Sequence, residues 1–123
     1  MKVKRLTDSV YRRSITLVVS TPDEFNRFIE KRHKDNPNAL NKDAGMHFSI
    51  WPGKKQVYCY HYIWLNGWRG TTTQTAFLHH EVNHLSYKVL RYLGMRLTEA
   101  SEEAYTYYSE SLFRQALQFL RRQ

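Results

Sequence analysis

Hydrophobic and polar residues repeat with two different periods along this chain, and the change of period separates strands from helices. Residues 14–20 are rich in β-branched side chains and predict a first strand. Residues 46–50 and 57–65 alternate with a period of two, so each of them predicts a further strand. The last of these strands carries Cys59 and His61 on a face that we expect in the core. We expect its other face to be exposed, with Tyr58, Tyr60, Tyr62 and Trp64.

Helical periods account for most of the remaining chain. Thr21 and Pro22 predict the capped start of a short first helix that ends near Arg32. A longer helix is predicted from about Thr73 to Leu93, with Gly94 as its left-handed end. A last helix opens at residues 98–101. The apolar stripe of the long helix is Leu78, Val82, Leu85, Val89 and Leu93.

These elements predict an α+β fold in the order β-α-β-β-α-α, with a three-stranded sheet and the last two helices packed on one face. The length of 123 residues predicts one domain, in which residues 1–13 form a basic, frayed N-terminus. The lone Cys59 excludes an internal disulfide framework and a zinc site made only of cysteines. No apolar run is long enough for a membrane span and no signal peptide is visible, so we expect a cytoplasmic protein without membrane contact.

A histidine cluster lies in the middle of the long predicted helix. From His80 the residues read H-E-x-x-H, and positions i and i+4 of a helix lie one above the other on the same face. His80 and His84 can therefore present imidazole nitrogens to a single zinc ion. Glu81 projects beside them, where it can act on a water molecule next to the ion. We expect the neighbouring His79 to be exposed or to support the site from outside the ligand set.

A catalytic zinc site usually has three protein ligands and a water molecule. No histidine follows Gly94, which excludes a third histidine downstream. Two consecutive helices joined by a short loop pack antiparallel, so a glutamate early in the last helix could reach back to the histidines. The available glutamates are Glu99, Glu102, Glu103 and Glu110.

From about Thr71 to Leu112 the sequence resembles the gluzincin type of zinc metallopeptidase. More narrowly, it is similar to the minimal zincin domains encoded in phage and prophage genomes. The resemblance is carried by H-E-x-x-H, an interval of about twenty residues, and the segment Glu103-Ala104-Tyr105-Thr106-Tyr107. In those domains the ligand glutamate opens a segment E-A-x-A-Y, and Thr106 stands here where a small residue is usual. The resemblance implies Glu103 as the third zinc ligand, with Glu102 as the alternative.

The resemblance also implies an activity, the hydrolysis of peptide bonds with one Zn²⁺ ion. Glu81 would be the general base that takes a proton from the zinc-activated water and passes it to the leaving amine. The polypeptide substrate would lie extended along an exposed sheet edge, for which the strand at residues 57–65 is the candidate. Tyr105, Tyr107 and Tyr108 are candidates for stabilising the transition state. If the chain is encoded by a phage, its location would be the host cytoplasm.

A second interpretation is a catalytically inactive, zinc-stabilised binding or assembly module. Its basis is the net charge of +8, from 19 Lys and Arg against 11 Asp and Glu, which points to affinity for nucleic acid. The basic residues are scattered over the termini and turns and form no stripe with interleaved aromatics, so this support is weak. The sequence indicates no oligomeric state.

Overall fold

The computed structural model describes residues 1–33, 45–50 and 59–122, and these residues form an α+β fold, as predicted. The strands are β1 (Lys2–Leu6), β2 (Ser14–Val19), β3 (Gly45–Ile50) and β4 (Tyr60–Leu65), and the helices are α1 (Pro22–Arg32), α2 (Thr72–Tyr92) and α3 (Glu102–Arg121). The strands form one mixed sheet in the order β1-β2-β4-β3. Strand β2 is parallel to β4, and the other two pairs are antiparallel.

The three predicted strands are present as β2, β3 and β4, and the sheet has β1 in addition. The expectation of a frayed N-terminus is wrong, because β1 pairs with β2 along its whole length, from Lys2 opposite Val19 to Leu6 opposite Ile15. Four of the five β1 residues are exposed and three of them are basic, whereas Leu6 is buried. A strand with so little apolar content at a sheet edge has no clear alternating pattern in the sequence.

The segment between β1 and β2 is fixed by Asp8. Its carboxylate accepts hydrogen bonds from the backbone N–H groups of Val10, Tyr11 and Arg13, at 2.7–3.2 Å. The same carboxylate accepts a bond of 2.8 Å from the hydroxyl of Tyr108 on α3. Burial, followed by this contact with Asp8, raises the pKa of Tyr108. The N-terminal segment is therefore attached to α3 as well as to the sheet.

Helix α1 covers one face of the sheet and buries the aromatic side of β4. Phe25 and Ile29 of α1 pack against Val18, Tyr62 and Trp64, and each of these five side chains is at most 3% exposed. The prediction that the aromatic face of β4 is exposed is therefore wrong for Tyr62 and Trp64. Tyr60 is half-buried, and Tyr58 lies outside the described residues. The sequence showed the alternation but not that α1 would cover this face.

The position of β4 also differs from the prediction. Strand β4 lies inside the sheet, between β2 and β3, so it cannot be the edge along which another chain pairs. The two outermost strands of the described sheet are β1 and β3. In the described sheet β3 is next to β4 on the side away from β2, and α2 contacts both β3 and β4. Of the two edges, β3 is therefore the one beside the histidine helix.

Helices α2 and α3 pack side by side on the other face of the sheet, as predicted. Helix α2 contacts β3 and β4, while α3 contacts β1, so the two helices divide the sheet between them. The predicted stripe of α2 is in the core, with Leu78, Val82, Leu85 and Val89 at most 1% exposed. Leu93, the last member of the predicted stripe, is 37% exposed, and α2 ends one residue before it, at Tyr92.

In the described part of the chain, no helix combines the length and apolar character that crossing a membrane requires.

His61 is a buried histidine of the sheet, as predicted from its place on the apolar face of the strand. It is 2% exposed, and its Nδ1 lies 2.7 Å from the hydroxyl of Ser49 on β3. Burial lowers the pKa of His61 from 6.5 to about 4, with smaller contributions from the positive charges of Lys88 and Arg13. His61 is therefore neutral in the folded chain under conditions that protonate it in the unfolded chain.

This difference predicts a loss of stability in mild acid. Because the folded pKa lies below the unfolded value, stability is intact above about pH 6.5 and falls as the pH decreases toward 4. We expect His61 alone to lower the free energy of unfolding by about 2 kcal/mol between pH 7 and pH 5. Urea unfolding of the wild type and of His61→Gln at both pH values measures this, and Gln keeps a partner for Ser49. An equal loss in both proteins would contradict the prediction.

Candidate metal centre

Three contacts between α2 and α3 define how the two antiparallel helices are aligned. The ring of His79 meets the ring of Phe113 edge to face, with centroids 5.2 Å apart. One turn further along α2, the Asn83 side chain accepts a hydrogen bond from the Ser109 hydroxyl. One turn further again, the ring of Tyr87 lies 5.2 Å from that of Tyr105. Each step of four residues along α2 thus matches a step of four residues back along α3.

The connection between the helices holds this alignment in place. Gly94 has a φ of 81°, and the N–H groups of Gly94 and Met95 donate to the carbonyls of Arg91 and Leu90, at 2.9 and 3.0 Å. This is the Schellman arrangement that a glycine permits at a helix end, so the predicted role of Gly94 is confirmed. The Tyr105 hydroxyl then donates to the Met95 carbonyl at 2.6 Å, which ties the loop to the first turn of α3.

His80 and His84 form a pair on the outer surface of α2. Their Nε2 atoms are 3.1 Å apart, within hydrogen-bond distance of each other, and their ring centroids are 4.5 Å apart. Two nitrogens at tetrahedral positions around a zinc ion, each about 2.05 Å from it, would be about 3.3 Å apart. Both side chains are exposed, which leaves their ring nitrogens within reach of an ion from solution. The pair therefore fits the geometry of two zinc ligands.

Glu81 lies on the opposite side of the histidine pair from α3. One residue corresponds to about 100° of rotation around a helix, so Glu81 follows His80 toward the side of α2 that faces β3. The side chain is only 7% exposed, unlike those of the two histidines. It has an interaction partner in the fold, and a buried carboxylate requires one. The sequence predicted the position of Glu81 beside the pair but not its burial.

The predicted glutamate ligands lie at a different level of the helix pair. By the alignment of α2 and α3, Glu103 is level with Val89 and Glu102 with Leu90. The midpoint of the histidine pair is at Val82, which is about 10 Å from the level of Glu103 along the helix axis. A glutamate side chain, with two methylene groups, is too short for that distance. The structure brings His80 and His84 together but does not bring Glu102 or Glu103 to them.

Glu110 is the glutamate that lies level with the histidine pair. It lines the groove between α2 and α3 together with His79 and Asn83, in an open cavity of about 690 Å³. Its carboxylate is paired with the guanidinium of Arg114, one turn further along α3. Glu110 was one of the four glutamates that the sequence left open. The length of α2 could have pointed to Glu110 in the sequence. Helix α2 continues for eight residues after His84, to Tyr92, so an antiparallel α3 needs about the same length to return to the level of the pair.

The remaining candidate residues are turned away from the pair. The His79 ring lies against Phe113, with its Nδ1 3.4 Å from the Asn83 side-chain nitrogen, so His79 faces α3. Tyr105 is buried, and its hydroxyl donates to the connecting loop. Tyr107 is 64% exposed and lines a separate cavity beside Asp8. Neither tyrosine is placed near His80 and His84 in this arrangement.

Within residues 1–33, 45–50 and 59–122, no three His, Cys, Asp or Glu side chains are close enough together to hold a metal ion. The described part of the candidate centre is thus the pair His80 and His84. Comparison with protein-family models, with curated proteins and with solved structures finds no match. The resemblance to small phage zincin domains stays a prediction, carried by the helix motif at His80, Glu81 and His84.

The geometry of the pair predicts that the chain binds one zinc ion. We expect His80→Ala and His84→Ala each to lose this ion, because each removes one of two converging nitrogens. His79→Ala is the matched control, since its ring packs on Phe113, and it should retain the ion. Elemental analysis after chelation, zinc loading and gel filtration measures the zinc per chain. A wild type without zinc, or equal losses in all three variants, would contradict the assignment.

Proposed function

We propose that this protein is a zinc-dependent metallopeptidase with its centre on α2. The observation that carries the proposal is the distance of 3.1 Å between the Nε2 atoms of His80 and His84. In the structure this contact has the geometry of a hydrogen bond between the two rings, and a zinc ion bound by both nitrogens would replace it. The adjacent Glu81 supplies the carboxylate that peptide hydrolysis requires next to such an ion.

The chemistry divides between the ion and the protein. A zinc ion bound by the pair would polarise a peptide carbonyl and lower the pKa of water to about 7. Glu81 would accept the proton of the attacking water molecule and then donate it to the departing amine. The burial of Glu81 restricts the conformations of its side chain on the helix turn that carries the pair, which favours proton transfer in one geometry.

Glu110 is the third ligand that we propose for the described arrangement, in place of Glu103. The alignment of α2 with α3 supports it, since Glu110 is level with the pair and lies in the groove lined by His79 and Asn83, on the same two turns of α2 as the pair. To bind, its carboxylate would exchange the Arg114 guanidinium for the ion. Glu103 or Glu102 would serve only if α3 slid by about two turns relative to α2, which would break the contacts that align the helices.

The substrate chain would lie along β3. Peptides bind at sheet edges by adding a strand, which requires an outermost strand beside the catalytic centre. Strand β3 is outermost in the described sheet and lies on the Glu81 side of α2. An extended peptide paired to β3 would therefore pass next to the carboxylate and the histidines. This position replaces β4, which the sheet order excludes.

The alternative is an inactive module in which zinc only stabilises the fold. The separation of Glu102 and Glu103 from the histidine pair favours it, because among the described residues no third His, Cys, Asp or Glu joins the pair. In that case the ion would raise thermal stability without conferring hydrolysis. The two functions differ in the role of Glu81, which is needed only for catalysis.

Replacing Glu81 tests catalysis separately from metal binding. We expect Glu81→Gln to keep the zinc ion but to lower kcat about 100-fold or more, as expected for loss of a general base. The measurement is cleavage of a mixture of quenched fluorescent peptides by the zinc-loaded protein, with zinc content and melting temperature determined in parallel. Glu99→Gln, at an exposed carboxylate on the loop before α3, is the matched control. Equal cleavage by wild type and Glu81→Gln would refute the general-base role.

Substituting the glutamates one at a time identifies the third ligand. Because the loss of an outer partner of a metal ligand costs 10–100-fold in affinity, we expect Glu110→Gln to weaken zinc binding by about 100-fold or more. Glu102→Gln and Glu103→Gln should leave the affinity unchanged, since both carboxylates are too far along α3. Competition with a fluorescent zinc chelator measures the Kd. If Glu103→Gln causes the large loss instead, the ligand implied by the family resemblance is correct.

A further inference from the structure

The outer surface of α2 carries positive charge directly after the histidine pair, so the expectation that the basic residues lie only at termini and turns, apart from aromatics, is wrong for this helix. Lys88 and Arg91 follow His84 by four and seven residues, which places them on the same outer side of the helix. Both side chains are exposed, and together with His84, Tyr87 and Tyr92 they line an open depression. Arg96 in the connecting loop borders a second depression with Arg91 and Tyr87. We call Lys88, Arg91 and Arg96 the cationic surface of α2.

The charges of the cationic surface are not neutralised within the described fold. In residues 1–33, 45–50 and 59–122, none of these three groups forms an ion pair with a carboxylate. Arg114, by contrast, is paired with Glu110 on the neighbouring helix. Three neighbouring cations without acidic partners attract an anionic ligand, and this attraction is strongest where the ligand also gains other contacts. The exposed parts of Tyr87 and Tyr92, 41% and 57%, provide such contacts.

The spacing relates this surface to the metal centre. Lys88 is about 6 Å from His84 along the helix, and Arg91 is about 10 Å away. An extended peptide advances about 3.3 Å per residue. A peptide whose carbonyl lies at the histidine pair would therefore place its second and third residues, counted along this direction, near Lys88 and Arg91.

We propose that the cationic surface of α2 binds an acidic segment of a polypeptide, with Asp or Glu two to three residues from the peptide bond at the centre. As a statement about substrate, it rests on the proposed peptidase function. An acidic peptide fits better than a nucleic acid strand. Nucleic acid bases stack on exposed aromatic faces, and one face of the Tyr87 ring is already in contact with Tyr105. The three cations also cover a short stretch, suited to two or three carboxylates.

Binding is measured first without the metal centre, so that it does not depend on catalysis. A fluorescein-labelled peptide with a Glu-Asp-Glu segment is titrated with the His80→Ala protein in chelator, and a peptide with Gln-Asn-Gln is the reference. We expect the acidic peptide to bind about tenfold more tightly at low salt, from two or three screened charge pairs. The difference should shrink as salt increases. Equal binding of the two peptides would overturn the proposal.

Substitution then locates the surface. The variant Lys88→Gln/Arg91→Gln/Arg96→Gln should lose the preference for the acidic peptide. The matched control is Lys2→Gln/Lys4→Gln/Arg5→Gln on β1, which removes the same charge from exposed positions and should keep the preference. An equal loss in both variants would show a general charge effect and overturn the proposal. Tighter binding of a single-stranded oligonucleotide, abolished by the α2 variant, would also overturn it and identify a nucleic-acid surface.

Cleavage by the zinc-loaded wild type separates this inference from the proposed function. If acidic peptides bind to the α2 surface but no peptide is cleaved, the peptidase proposal fails and the cationic surface remains as a binding site. If peptides are cleaved at equal rates with and without acidic residues, the peptidase proposal stands and the substrate preference fails. The proposal expects cleavage of the acidic peptides with kcat/KM about tenfold above that of their amide counterparts.

Discussion

The alignment of α2 against α3 is the constraint on which the candidate centre depends. It is maintained at both ends, by the ring of His79 on Phe113 and by the loop that Gly94 and Tyr105 hold together. Between these ends the Asn83 side chain accepts from the Ser109 hydroxyl, so sliding one helix would leave polar groups without partners. Packed helices shift in discrete steps rather than continuously. The residues that can meet at the histidine pair are therefore set by this alignment and not by distance along the sequence.

The environment around α2 changes within three consecutive residues. His79 faces α3, His80 faces outward, and Glu81 is buried toward β3, because each residue is rotated by about 100° from the last. A buried carboxylate beside two accessible imidazoles is the arrangement on which the proposed peptidase function rests. The sheet contributes through its order, since placing β3 outermost puts a strand edge on the Glu81 side.

Much of the fold could be predicted from the sequence, because strong periodic patterns encode it. The bounds of α2 and the cap at Gly94 follow from an apolar stripe and a glycine, and the structure confirms both. Strand β1 could not be predicted, since Leu6 is its one buried residue and the pairing with β2 is a tertiary interaction. The prediction that Tyr62 and Trp64 are exposed was wrong for a similar reason. Alternation shows that a strand has two faces, but only the path of α1 decides whether both are covered.

The histidine pair was equally readable from the sequence, because helical spacing alone brings positions i and i+4 together. The level of each glutamate relative to the pair was not, since it depends on where a second helix lies. With α2 ending near Leu93 and α3 starting near Glu102, Glu103 lies about two helical turns from the level of the pair, measured along the helix axis. A motif with a fixed interval transfers only when the intervening helix has the same length, and α2 extends eight residues beyond His84.

The ion pair between Glu110 and Arg114 is no obstacle to a role for Glu110 at the centre. The pair lies one turn apart on an exposed helix surface, and pairs of this kind contribute about 0.3–0.5 kcal/mol. The Glu110 ligand itself is expected to change zinc affinity about 100-fold, which corresponds to about 2.7 kcal/mol. The exchange of Arg114 for an ion would therefore favour the ion, provided that the carboxylate reaches it. The position of α3 relative to α2, rather than the strength of the ion pair, limits the assembly of this centre.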